Sequence, residues 1–283
     1  MALTVNTNIA SLAIQTKLNR ASDALSTSMT RLSSGLRINS ARDDAAGLQI
    51  STMMTSEVRG QAVALRNASN GVSIAQAAEG ALDQTASILI RMKELAVQAR
   101  DDTNGSAQRK ALNDEFALMS DELTRLSEST KLNGRALLNG SAGIMELQVG
   151  TDTTAADRIT LVLSSQFDAV SLGVASATLV LSGATVADAH TNVDAAMSAL
   201  DIALASVTST RAGLGAAQNR LASTVSNLQS MNENTQAARG RIQDVDFAAE
   251  TAELTKQQTL QQASTAVLAQ ANQLPAAVLK LLQ

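Results

Sequence analysis

The chain has 283 residues, 45% of them apolar but only 1% aromatic, with no cysteine, tryptophan or tyrosine and a formal net charge of −4. That composition excludes a disulfide framework and thiolate chemistry, and the lack of Lys/Arg runs and stacking rings excludes a nucleic-acid footprint. An Ala- and Leu-rich chain whose only rings are Phe116, Phe167 and Phe247 suits thin helix-on-helix seams, where small side chains let backbones approach closely.

Residues 1–16 carry no charged side chain. They have neither a basic n-region nor a continuous apolar h-region, so they do not read as a Sec-type signal, and no run of about 18 apolar residues marks a membrane span. By those rules alone the chain would be cytoplasmic. Leu18, Leu25 and Leu32, seven residues apart, predict a first helix. The stretch RLSSGLRINSARDDAAGLQIS at 31–51 then concentrates charge and turn chemistry. Within it Gly35 can end the first helix, and Asp43-Asp44 can open the next.

From about Asp44 to Arg100 no proline interrupts the pattern, which predicts a helix spanning roughly 80 Å. Its heptads run Val58, Leu65, Val72 and then shift to Ala75, Leu82, Leu89, Ala96. The Asn-Gly turn in DDTNGS ends it. Leu112, Phe116, Met119, Leu123 and Leu126 mark a shorter helix to about Thr130, stopped by KLNGRALLNGSAG. In 140–189, MELQVG and DRITLVL read as strands and ATLVLSG as a possible third, with a disordered linker as the plainer alternative. A long helix follows on Val193, Leu200, Val207, Leu214, Leu221 and Leu228, and a last one on Leu260, Val267, Leu274 and Leu281.

The fold class expected is therefore mainly α. It is a long coiled-coil-like helical hairpin, with N- and C-terminal helices paired and a small β-rich region at the turn. Between Gln257 and Gln283 the only charge is Lys280. Outer faces of Gln, Ser, Thr, Asn and Ala suit packing among many neighbouring helices, so the ends predict a self-assembling polymer; simple pairing of the two terminal helices within one monomer is the competing reading.

Enzymatic chemistry finds little support. A metal-binding HExxH helix needs two histidines, and the chain has only His190, in ADAHTN, read as a solvated residue at a helix start. Asp43 and Asp44 serve as helix caps more readily than as an acid–base pair. No phosphate-binding glycine loop occurs, and no cofactor or metal is implied.

The segments NTNIASL, RLSSGLRINSARDDAAGLQI, NGVSIAQAAEGAL and MKELAVQA, with LGAAQNRL, ARGRIQDVDFAAET and QQTLQQASTAVLAQANQLPAAVLKLL, resemble bacterial flagellin over about residues 1–140 and 190–283. The resemblance implies a filament subunit whose chain ends pair in an inner tube, joined by a spoke to an outer layer of long helices. It divides the chain into an inner-tube helix and spoke (1–40), N-terminal long helices of the outer-tube layer (41–140), a short β-rich region (141–189) in place of large outer domains, a C-terminal long helix (190–236) and a C-terminal inner-tube helix (237–283). Spoke and subunit contacts would then fall on Arg31, Leu32, Leu36, Arg37, Asn39, Arg42, Asp43 and Asp44, with the three arginines meeting carboxylates of the same or neighbouring subunits. Inner-tube packing would fall on Leu18, Leu25, Leu260, Val267, Leu274 and Leu281.

The resemblance further implies partners. These are further copies of the chain, an export chaperone on about 240–283, the flagellar export apparatus, and the filament-cap and hook–filament junction proteins. It implies an extracellular location reached without a cleaved signal, which overturns the cytoplasmic reading, and neither nucleic-acid binding nor membrane insertion. In ILIRMKELAVQ at 88–98, Arg91 and Leu95, with Glu115 on the next helix, match a surface read by an animal innate immune receptor. Two other readings stay open at this point: a hook–filament junction protein, and a secreted coiled-coil effector or adhesin.

Overall fold

The computed structural model describes residues 7–281, and the side chains of 7–273. The elements run α1 (Ile9–Ser34), α2 (Ala45–Ala99), α3 (Ser106–Ser129), β1 (Lys131–Leu132), β2 (Arg135–Ala136), β3 (Gly143–Gln148), a 3-10 turn (Ala155–Asp157), β4 (Arg158–Leu163), α4 (Val186–Gln243) and α5 (Phe247–Leu281). The chain is thus mainly α, with paired terminal helices and little strand, as the heptads predict. Two compact units divide the chain: Arg59–Asn232, and Met1–Val58 with Glu233–Gln283.

The unit from 59 to 232 holds the core. On α2 the second heptad row, Ala75, Leu82, Leu89 and Ala96, is fully buried, whereas Val58, Leu65 and Val72 are half-covered. On α4 the row Val193, Leu200, Val207, Leu214, Leu221 is buried throughout. Phe116 and Leu123 of α3 fill the same cluster. Alanine at alternate core positions brings the helix axes close, which is why so large a core needs few rings.

Polar pairs flank the α2–α4 seam: Gln218 donates to Glu79 at 2.7 Å, Arg211 meets Asp83 at 2.8 Å, Lys93 pairs with Asp201, and Arg100 meets Asp194 at 3.0 Å. The acidic members lie on α2 in the first two pairs and on α4 in the last two. Exposed pairs of this kind add about 0–1 kcal/mol each, so they select register more than they stabilise.

Between α3 and α4 the chain forms two hairpins. β1 and β2 join through Asn133-Gly134, whose φ values of 51° and 78° match a two-residue primed turn. β3 and β4 pair antiparallel from Gly143↔Leu163 to Gln148↔Arg158. Ile159, Leu161 and Leu163 alternate inward, while Arg158 and Glu146 pair on the outer face at 3.3 Å. Asn67 Nδ2 donates to the Gln148 carbonyl at 3.0 Å, tying this hairpin to α2.

The third strand expected at ATLVLSG does not form. Residues 164–185 instead run as an irregular strap along α3, with Phe167, Leu172, Val174 and Leu181 buried. Its backbone N–H groups find side-chain acceptors in place of a ladder: Ala169 donates to Thr124 Oγ1 (3.4 Å), Ser176 to Ser120 Oγ (3.2 Å) and Leu181 to Asn113 Oδ1 (2.8 Å). Polar side chains on α3 thus satisfy these three donors, while others along the strap, including those of Phe167, Leu172, Val174 and Leu179, bond backbone carbonyls.

In the other unit α1 and α5 pack antiparallel. Asn8 Nδ2 donates to the Ala271 carbonyl at 3.0 Å at one end, and Arg31 meets Glu250 at 3.8 Å near the other.

Candidate functional site

The segment from 31 to 47 is built from turn chemistry. Gly35 adopts φ 72° and its N–H closes on the Arg31 carbonyl at 2.9 Å, capping α1. Leu36 bridges antiparallel to Asp244, Arg37 N–H donates to the Gln243 carbonyl at 2.7 Å, and Val245 N–H donates back to Gly35 at 3.0 Å. The two chain crossings therefore hold each other. Asp44 Oδ1 accepts from Gly47 N–H at 2.9 Å, capping α2, and Asp246 Oδ1 accepts from Ala248 and Ala249 N–H to cap α5.

Asp43 has a separate role. Its Oδ2 accepts from Ser40 N–H (2.9 Å), Asn39 N–H (3.1 Å) and Ser40 Oγ (3.1 Å). Those backbone donors, Ser40 first and Asn39 next, hold its carboxyl below the usual carboxylate range, with the Arg31 charge adding a smaller push. Asn39 and Ser40 are thus donors to Asp43 rather than caps of α2. Ile38, absent from the expected set, is the buried residue here, 2% exposed. A Cβ on Gly47 would lie 2.6 Å from Ile38 Cδ1, so the glycine makes room for this plug. An isoleucine inside a polar loop was the available signal.

The three arginines diverge. Arg31 alone meets a carboxylate, Glu250. Arg37 corrects the expectation, since its Nη2 donates to the Ile242 carbonyl at 2.7 Å. Arg42 is exposed and forms no ion pair among the described residues. It borders a polar groove of about 540 Å³ with Asp23, Thr30, Arg31, Asn39 and Asp43.

On α1 the inward row is Ser11, Ile14, Leu18, Ala21, Leu25, Ser28 and Leu32, alternating steps of three and four. Its counterpart on α5 is Glu250, Leu254, Gln257, Gln261, Ser264, Leu268 and Ala271. Leu18 and Leu25 lie on this seam, half-buried. Leu260 and Val267 lie off it, 45% and 50% exposed. The side chains of Leu274 and Leu281 fall outside the described residues.

Two further positions depart from expectation. His190 is not solvated; it is largely covered, with Nε2 2.6 Å from Asp102 Oδ1, while Asp102 also meets the buried Arg109 at 3.4 Å. The Arg109 guanidinium in turn caps the end of α2, donating to the Ala99 carbonyl at 3.0 Å. Arg91 and Glu115 pair on the surface at 2.9 Å, with Arg91 also reaching Glu94. Leu95 is fully buried in the core beneath them, so the exposed part of that trio is Arg91 and Glu115.

The model of the bacterial flagellin N-terminal helical region matches residues 5–143, and that of the C-terminal helical region matches residues 197–282. The chain belongs to the bacterial flagellin family. This flagellin is 42% identical to a flagellin of Halalkalibacterium halodurans, covering 89% of each chain, and 38% identical to flagellin B of Vibrio cholerae (classical Ogawa strain O395), covering both fully. The crystal structure of Bacillus cereus flagellin is 27% identical, with TM-score 0.47 over 62% of this chain and 94% of that one. As a flagellin the protein is a structural subunit that polymerises into the extracellular flagellar filament, the helical propeller of swimming bacteria. Among the described residues no helix is long and apolar enough to cross a membrane.

Proposed function

We propose that residues 1–40 and 237–283, which carry α1 and α5, form the inner tube of the filament. Residues 41–140 and 190–236 form the next layer, 141–189 replaces the large outer domains, and 31–44 serves as the spoke. The observation that carries this reading is the division of labour on α5. Its intramolecular seam mixes Glu250, Gln257, Gln261 and Ser264 with Leu254, Leu268 and Ala271, while the apolar Leu260 and Val267 remain exposed. A helix that leaves apolar side chains outside a half-polar seam is made for neighbours of the same kind.

Arg42, exposed and without an ion pair among the described residues, fits an acidic group on an adjacent copy. Leu18 and Leu25 hold the inner pair together, and Leu274 and Leu281, seven residues apart in the sequence, complete the proposed inner-tube set. Before export an exposed row needs cover, which a chaperone on 240–283 supplies; the flagellar export apparatus then passes the chain without a cleaved signal. Filament-cap and hook–filament junction proteins meet it at the ends of the polymer. The role is structural rather than catalytic. The Arg91–Glu115 pair, backed by Leu95, is the surface offered to a host innate immune receptor by the free subunit.

Seeded elongation tests the central claim. Leu260→Ser with Val267→Ser removes roughly 1.5–3 kcal/mol of burial per side chain. Elongation is expected to slow by at least about 10-fold with monomer helicity unchanged. Elongation at the parent rate would refute the outward row as an assembly contact.

A further inference from the structure

The chain contains four Asn-Gly steps, at 70–71, 104–105, 133–134 and 139–140. A side-chain amide followed by glycine is the most exposed substrate for attack by the next backbone nitrogen, because glycine lacks the Cβ that would shield it. The fold treats the four differently. Asn70-Gly71 lies inside α2, where the Gly71 N–H is held in the helical ladder. Asn104 commits its Nδ2 to the Gln98 carbonyl at 2.7 Å. Asn139 Oδ1 accepts from Ser141 N–H at 3.1 Å and Ser141 Oγ at 2.6 Å.

Asn133-Gly134 has none of these restraints. Both residues are exposed, the Asn133 side chain makes no hydrogen bond among the described residues, and Gly134 N–H is not a donor there. The flanking ladder is short, Lys131↔Ala136 and Leu132↔Arg135 with a Leu137 N–H to Thr130 carbonyl bond of 3.0 Å at its far end, so the turn at its tip can open locally.

We propose that Asn133 is a site of spontaneous deamidation in the folded protein, with water as co-reactant. The Gly134 nitrogen, having given its proton to water, bonds to Asn133 Cγ. Nδ2 takes up a proton from water, the Cγ–Nδ2 bond breaks and ammonia leaves, closing a five-membered imide. Water then adds to one of the two imide carbonyls. Opening at the side-chain carbonyl yields aspartate; opening at the backbone carbonyl yields isoaspartate, with the chain now routed through Cβ and Cγ. Either product adds one negative charge between Lys131 and Arg135, whose cations favour it. Isoaspartate also lengthens the two-residue turn by one backbone atom, which the paired register of β1 and β2 cannot absorb. The site therefore marks the age of a subunit at the edge of its small hairpin.

Incubation of the full chain at mildly alkaline pH, followed by peptide mapping, reads this directly as a gain of about 1 Da per event. In the folded protein the peptide carrying Asn133 is expected to convert at least about 10-fold faster than those carrying Asn70, Asn104 and Asn139. In strong denaturant the four rates should converge, since sequence alone then governs them. Comparable folded rates at all four steps, or faster conversion at any of the other three, would overturn the proposal. So would an unmodified Asn133 in a sample where the denatured control converts.

Discussion

Gly47 and Gly80 both sit within α2, yet their surroundings assign them opposite roles. An added methyl at Gly47 runs into Ile38 and the Asp44 cap, whereas nothing lies within 4 Å of one at Gly80. Gly47→Ala is expected to destabilise by about 1–3 kcal/mol through overpacking. Gly80→Ala should stabilise by roughly 0.5–1 kcal/mol, because alanine loses less freedom in a helix. Chemical denaturation of the two variants checks the pair; equal shifts would dissolve the distinction. At Asp43 the prediction concerns acid. Donors from Ser40 and Asn39 depress its folded titration below the unfolded value of about 3.9. The stability it contributes is therefore complete above about pH 4 and lost as pH falls through the depressed folded value. Asp43→Asn should flatten the fall in thermal midpoint below about pH 4 relative to the parent; parallel curves would show the clasp to be inert.

At the scale of elements, the strap from 164 to 185 is the segment whose form depends most on a neighbour. Its run of Leu and Val has strand composition, and a strand was the natural expectation from ATLVLSG. Strand composition does not supply a partner, however, and the side of α3 facing it offers Asn113, Ser120 and Thr124 as acceptors. Asn113→Ala leaves the Leu181 N–H without its acceptor and should cost about 1–3 kcal/mol, with amide exchange rising around 178–185. Unchanged exchange there would mean that apolar burial alone holds the strap. The first three helices, by contrast, were legible almost to the residue, whereas α4 runs on to Gln243, past the 236 boundary read from the sequence. Ala45 and Ala99 bound α2 where Asp44 and the DDTNGS turn predict, and the heptad shift at Ala75 coincides with full burial.

Across the whole molecule the two units differ in what they bury. The continuous apolar cluster runs from Ala68 to Leu221, within the unit 59–232. The other unit buries Ser11, Ala21, Ser28, Ile38, Ser51 and Ala271, mostly small or polar residues. Local opening free energies follow buried apolar contact. In the unassembled subunit, amides of α1 and of 247–273 should exchange at least about 10-fold faster than those of 75–99, and polymerisation should protect them. Equal protection in the free subunit would show that the terminal pair needs no neighbours.

Sequence by itself determined the helices, their heptad rows, the caps at Gly35 and Asp44, and membership in the flagellin family. Each of these depends on spacing along the chain, which a linear pattern records. Only the tertiary structure decided which face of α5 is spent inside the subunit, because Leu260 and Leu268 both satisfy a helical period and differ only in which one α1 covers. It likewise decided that Arg37 meets a carbonyl, that His190 is covered by Asp102, that Leu95 lies in the core, and that one Asn-Gly step of four is left unrestrained. Those outcomes depend on residues far apart in sequence competing for the same space and the same hydrogen bonds, and no local pattern ranks the competitors.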